Sequence, residues 1–273
     1  MKKKEKFHLF HKLKRRIYYS YIRFVRTFFR ILYTKKQHQY LFVLTPPYAG
    51  STMLNQLISS SENVSCNNNL GTREGQLLPG VRHFMFQKDR WDENIKYPWE
   101  DVKKVWRKYW DFSKPIFLDK SIPNIMRVDE IEKVFYPIKY LCMVRNPYAQ
   151  VEGIMRRNNQ DAKSAAEFAI KCLYFQDQNR NRKNALFFTY EQLCENGEDV
   201  LKQMIESVPE LSDISVDMEF TSHNFKSDGK MKMVNLNEEK IDKITKEDFK
   251  IINLVFSENE DLLDKFNYKI RVR

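Results

Sequence analysis

The sequence predicts an α/β fold with a central, mostly parallel sheet flanked by helices, entered through a basic N-terminal helix. Two junctions and the chain length carry this expectation. In the first junction Leu41, Phe42, Val43 and Leu44 form a short apolar run of the kind a buried strand shows. Thr45, Pro46 and Pro47 end it, and Met53, Leu54, Leu57 and Ile58 then recur at helical spacing. In the second, residues 138–144 are apolar on both faces, as in a central parallel strand, and run through Arg145, Asn146 and Pro147 into a helix expected over 148–157. At 273 residues there is room for one large domain of this kind, placed at 39–273, behind a basic segment at 1–38.

That segment holds most of the net charge of +11: residues 1–40 carry thirteen Lys and Arg against the single acid Glu5, a surplus of +12, which leaves the rest at −1. The body is nearly neutral, so a nucleic-acid-binding surface is not implied. On a helix Lys12, Arg16, Arg23, Arg26 and Arg30 share one face, and Ile17, Tyr21, Phe24, Phe28 and Ile31 share another. The arginines interrupt any apolar run of about 18 residues, and no short apolar core precedes a small-residue cleavage site, so neither a spanning helix nor a signal peptide is expected. Two readings of residues 12–33 stay open: a helix lying in an anionic membrane surface, or one packed on the body or on a partner subunit. Residues 35–38 read as a linker.

Taken in order, 62–70 is polar, Asn-rich and read as a loop. Glu74 between Gly71 and Gly75 falls in a segment expected to be exposed and mobile. Residues 82–111 contain all four tryptophans, and Val102, Val105, Trp106, Tyr109 and Trp110 predict a helix against the core, secondarily a wall of an acceptor cleft. A strand at 116–118 leads into Asp119, Lys120 and Ser121, and helices are expected at 128–135 and 162–182. A further strand at 185–189 feeds Tyr190 and Glu191. Beyond Asp199 the chain reads as helical, with a polar loop at 222–230 and helix starts at Asn237 and Thr245. Cys66, Cys142, Cys172 and Cys194 form no C-x-x-C pair and have no nearby His, so neither zinc nor a disulfide framework is expected. Free buried thiols fit a reducing compartment: cytoplasm, at the edge of a membrane, in preference to the Golgi lumen.

The first junction also carries chemistry. Gly50 stands at the turn, and the hydroxyls of Ser51 and Thr52 stand at the helix start, where free amides and the positive dipole end favour an anion, most often phosphate. An ATP or GTP loop needs a lysine before those hydroxyls, and there is none. The run 45–54, T-P-P-Y-A-G-S-T-M-L, instead resembles the phosphosulfate loop of sulfotransferases, P-[KR]-S-G-[ST]-T. Pro47, Gly50, Ser51 and Thr52 match and Tyr48 and Ala49 do not. V-R-N-P-Y-A-Q-V-E-G at 144–153 resembles the family's 3′-phosphate motif, with Arg145 matching and Gly153 standing where a serine is usual. Y-E-x-L at 190–193 resembles a third motif, whose tyrosine contacts adenine and whose glutamate is structural. The R-K-G loop that closes over the donor is absent; Lys226, Ser227, Gly229 and Lys230 are its stand-ins.

This resemblance covers residues 40–200 and implies a P-loop-like sulfotransferase fold and metal-free transfer of a sulfuryl group from 3′-phosphoadenylyl sulfate to a hydroxyl-bearing acceptor, a carbohydrate or lipid-linked glycan being favoured. It implies a donor cradle at Tyr48, Ala49, Gly50, Ser51 and Thr52, with Arg145, Gly153 and Tyr190 around the nucleotide. Glu74 is the first candidate base and His83 the second. The family's basic residue at the Tyr48 position assists the leaving phosphate. Here Lys120, which follows a strand, is the candidate replacement, ahead of Arg73. A P-loop kinase-like enzyme and a non-catalytic membrane-associated module keeping the fold are the alternatives.

Overall fold

The structure is a computed structural model that describes residues 3–33, 36–221 and 230–272. A long helix, α1 (Lys3–Leu32), precedes β1 (Gln39–Leu44), α2 (Ser51–Ile58), β2 (Val64–Cys66), α3 (Arg82–Met85) and α4 (Trp99–Trp106). There follow β3 (Ile116–Asp119), α5 (Val128–Glu132), β4 (Ile138–Val144), α6 (Pro147–Asn158), α7 (Ala162–Arg180), β5 (Ala185–Thr189), α8 (Tyr190–Glu195) and α9 (Gly197–Ser207). A two-residue hairpin, β6 (Phe220–Thr221) with β7 (Lys230–Met231), leads to α10 (Asn237–Ile241), α11 (Lys246–Ser257) and α12 (Glu260–Asp264).

Five parallel strands lie in the order β2-β3-β1-β4-β5. β1 is the middle strand, with Phe42 beside Asp119 on one side and Leu44 beside Cys142 on the other. Side chains alternate across a strand, and both faces of β1 are covered. Tyr40, Phe42 and Leu44 pack with Trp106, Trp110 and Phe135, whereas Leu41 and Val43 pack with Leu54, Leu57 and Met204. A third apolar cluster joins α6, α7 and α11 through Tyr148, Ile154, Ala169 and Phe256. The sheet's C-terminal edge, where Thr45, Lys120 and Arg145 follow their strands, is thereby held between packed layers.

Two expectations are corrected, at residues 62–70 and at Glu74. Residues 62–70 contain the edge strand β2, which pairs Val64 to Ile116 and Cys66 to Leu118; at three residues, flanked by asparagines, it has no pattern to betray it. The tryptophan-rich region packs on the core as expected, with Trp106 and Trp110 fully buried, and Trp91 lines a cavity. Glu74 is buried, not exposed. Thr245 does cap α11, its Oγ1 accepting from the Asp248 amide at 3.1 Å. Cys66, Cys142 and Cys172 are free and buried. Lys226, Ser227 and Gly229 lie outside the described residues.

α1 is docked on the body along one side. Tyr19 is buried and donates through its hydroxyl to Asn68 Oδ1 at 3.2 Å, Tyr18 and Ile22 pack on the core, and Arg26 pairs with Asp111. The stripe of Ile17, Tyr21, Phe24 and Phe28 stays exposed. Among the described residues no helix is long and apolar enough to cross a membrane.

Candidate active site

The loop between β1 and α2 needs two left-handed residues in succession of one another but for Ala49: Tyr48 at φ 63° and Gly50 at φ 89°. Gly50 is required twice over, because a Cβ there would also lie 2.8 Å from the Tyr190 ring. Gly50 caps α2 without a side-chain hydrogen bond. The first-turn amides are thus left for an external acceptor. Pro47, Tyr48, Gly50, Ser51 and Thr52 line a cavity of about 960 Å³. Ala49 does not: it is fully buried and serves the turn.

Tyr48 and Gly153, 105 positions apart, fit each other. A Cβ on Gly153 would sit 2.8 Å from Tyr48 Cβ and 2.9 Å from its Cγ, so the ring occupies the room a serine side chain would need. The Tyr48 hydroxyl donates to Asn158 Oδ1 at 2.6 Å, at the C-terminal end of α6. Gly153 therefore belongs to the packing of the loop and is not a donor contact of the kind its motif implies.

Lys120 and Glu74 form a buried pair on the cavity wall. They are 1% and 5% exposed, with Lys120 Nζ 3.6 Å from Glu74 Oε1 and donating to Ser51 Oγ at 3.4 Å. Burial pulls the Lys120 pKa down, and Glu74 is the largest opposing influence. Asp119, the preceding residue, turns its carboxylate away from Lys120. Its carboxylate accepts from Asn67 Nδ2, the Gly75 amide, the Ser121 amide and Asn124 Nδ2 at 2.8 to 3.0 Å. That network fixes the backbone next to Glu74, and Gln76 bonds the Glu74 carboxylate directly. A lone buried ion pair contributes little to stability, so its retention at a cavity argues for a chemical use.

Arg145 is the third buried charge, 4% exposed and lining the same cavity. Its Nε donates to Asn237 Oδ1 at 2.7 Å, its guanidinium lies 4.0 Å from the Tyr190 ring centre, and among the described residues its buried Nη2 has no partner. Asn237 is held in turn by Glu191, which also takes the Asn146 amide at 2.8 Å and the Tyr268 hydroxyl at 3.0 Å. Glu191 is thus structural, and Tyr190, whose hydroxyl donates to Val234 O at 2.8 Å, forms a flat wall beside Arg145.

Two expected residues drop out. His83 is exposed on α3, packed edge-on to Phe84 and away from the cavity. Arg73 donates to Ser59 Oγ at 2.9 Å and does not line the cavity. Two others were missed: Asn237, and Lys240 on α10, which lines the cavity 3.9 Å from Glu152 and whose pKa burial, helped by Arg145, pulls down to about 7. Nothing in the local sequence of α10 points to this; only the return of the C-terminal segment over the sheet edge brings it there. Among the described residues eight cationic side chains line the cavity against Glu74 and Glu239, so the nearly neutral body focuses positive potential in one place.

No family model and no curated protein sequence matches the chain. Solved structures do. The sulfotransferase domain from the Synechococcus PCC 7002 olefin synthase superposes with a TM-score of 0.56 at 18% identity, covering 86% of this chain and 97% of that one. The chain has the sulfotransferase fold. The sulfotransferase domain from the curacin biosynthetic pathway gives a TM-score of 0.52 at 15% identity over 86% of this chain and all of that domain. The α/β expectation and the resemblance read from residues 40–200 agree with this fold, and the cavity opens where its motif-bearing loops follow β1, β3, β4 and β5.

Proposed function

We propose that the protein is a sulfotransferase moving the sulfuryl group of 3′-phosphoadenylyl sulfate to a hydroxyl, with a carbohydrate or lipid-linked glycan as the favoured acceptor. The observation that carries this reading is the buried Lys120–Glu74 pair at the N terminus of α2, in the cavity that also holds the incompletely partnered Arg145. The reaction needs no metal.

The donor fits the residues present. The amides at 50–52 and the Ser51 and Thr52 hydroxyls offer a cradle for the 5′-phosphosulfate, the free Nη2 of Arg145 offers a charged donor to the 3′-phosphate, and Tyr190 offers a face to the base. Glu74 takes the proton of the acceptor hydroxyl; its oxygen forms a bond to sulfur as the bond from sulfur to the bridging oxygen breaks. Negative charge grows on that oxygen, and the Lys120 ammonium, held at Ser51, stabilises it more in the transition state than in the ground state. Lys120 would thereby replace the basic residue for which this loop has Tyr48.

Incubation with sulfur-labelled donor and a panel of glycans and glycolipids tests the reading: label should appear on a hydroxyl acceptor, and Glu74→Gln should lower the activity by about 10²- to 10⁴-fold. Turnover of ATP with magnesium and none with the sulfate donor would overturn it in favour of a kinase-like enzyme.

A further inference from the structure

α1 has three faces, and only the docked one is accounted for. Turning 100° per residue, Tyr18, Tyr19, Ile22 and Arg26 meet the body. Roughly opposite them, Leu13, Ile17, Tyr21, Phe24 and Phe28 fall within an arc of about 80°. Their exposures, 54%, 61%, 63%, 80% and 62%, are those of side chains that face outward, away from the body. Such a stripe has two flanks. Lys12, Arg16, Arg23 and Arg30 run along one, Lys14 lies on the other, and residues 6–33 contain no acid. Beside the stripe a second, shallow cleft of about 370 Å³ is lined by Ser20, Arg23, Phe24, Thr27, Arg30 and Lys108. It combines three cations and two hydroxyls with one ring of the stripe, and no carboxylate.

We propose that α1 lies in the plane of an anionic membrane surface, its apolar stripe entering the boundary between headgroups and acyl chains and its cleft holding a lipid phosphate between Arg23, Arg30 and Lys108. Three features choose this occupant. An apolar stripe alone would suit a protein partner, but a stripe bordered by cations suits a surface that is apolar below and anionic above. The cleft places phosphate-binding groups at the edge of the stripe, at the depth where headgroups meet acyl chains. A second copy of this chain is disfavoured, since two such helices would bring their uncompensated cations together. The docked face gives the surface a consequence for the cavity: Tyr19 bonds the side chain of Asn68, whose Nδ2 donates to the Glu74 carbonyl at 2.7 Å. The helix that would rest on the lipid is thus two hydrogen bonds from the proposed base.

The test uses the full chain without nucleotide, in flotation with vesicles of phosphatidylcholine alone and with vesicles in which about one third is phosphatidylserine. Binding to the second and not the first, weakened as salt shortens the Debye length to about 8 Å at physiological ionic strength, is expected. F24S/F28S, at exposed positions, and R23Q/R30Q/K108Q should each weaken binding about tenfold or more, with the thermal midpoint unchanged. Equal flotation of parent and F24S/F28S, no flotation on either vesicle, or a concentration-dependent dimer abolished by F24S/F28S would each overturn the proposal. Because no donor is present, none of these outcomes depends on the proposed transfer reaction.

Discussion

The two halves of the cavity treat buried charge in different ways. Around Lys120 each charge is answered from within the chain: the ammonium faces Glu74, and Glu74 is held by Gln76. Around Arg145 the guanidinium meets an amide oxygen, a backbone oxygen and a ring face, while a buried Nη2 goes without a partner among the described residues. A closed pair at a cavity wall suits proton transfer and charge stabilisation, whereas an open cation suits the arrival of an anion. The difference divides the work: the Lys120 half should set turnover and the Arg145 half should set donor affinity.

Substitutions can break that division, and Glu74→Gln is expected to act most strongly. A lost general base lowers turnover by about 10²- to 10⁴-fold, with donor affinity changed little, and steady-state rates with a labelled donor check this. Lys120→Ala follows, with a single-turnover rate reduced by about two to three orders of magnitude and donor binding within a few-fold of the parent. Unchanged rates in Lys120→Ala would leave the leaving oxygen without its proposed cation.

Gly153→Ser tests the packing beneath both halves. The serine the motif leads one to expect collides with Tyr48, so it should destabilise the chain by about 1–3 kcal/mol in denaturant unfolding. In a Tyr48→Gly background, which removes the Cβ and Cγ it would strike, Gly153→Ser should cost much less; strict additivity would show that the two positions do not share space.

The smallest effect is expected at Lys240. Its folded pKa of about 7 lies below the ordinary 10.5, so the unfolded chain holds the proton more tightly. The charged form therefore costs stability below pH 7, and the cost fades as pH rises from 7 to 10.5. Lys240→Met should raise the thermal midpoint most at low pH, with no difference left near 10.5. It should also remove a few-fold fall in donor affinity that the parent shows as pH rises through about 7.

Much of this was legible in the sequence where a function is local. The apolar runs at 41–44 and 138–144, with Gly50, Ser51, Thr52 and Arg145 directly after them, mark the sheet edge and its loops; Lys120 could be picked out because it follows a strand. What escaped depends on distant parts of the chain. The departures at Tyr48 and Gly153 read as two separate losses, yet in space they are one accommodation. Glu74 reads as an exposed loop charge between glycines, because the Asp119 network that draws its loop inward comes from 119–124. Asn237 and Lys240 lie in a polar stretch that only chain return places beside Arg145. His83 has the chemistry of a base, but the exposed face of α3 keeps it from the site.

The division of the cavity is tested most directly by calorimetric titration of the parent, Lys120→Ala and Arg145→Ala with 3′-phosphoadenosine 5′-phosphate and with adenosine 5′-monophosphate. The parent should prefer the 3′-phosphorylated nucleotide by about 1.5 to 3 kcal/mol, the worth of a charge-assisted hydrogen bond, and Lys120→Ala should keep that preference while Arg145→Ala loses it. Equal affinity of the parent for the two nucleotides, or a preference that survives in Arg145→Ala, would contradict the account.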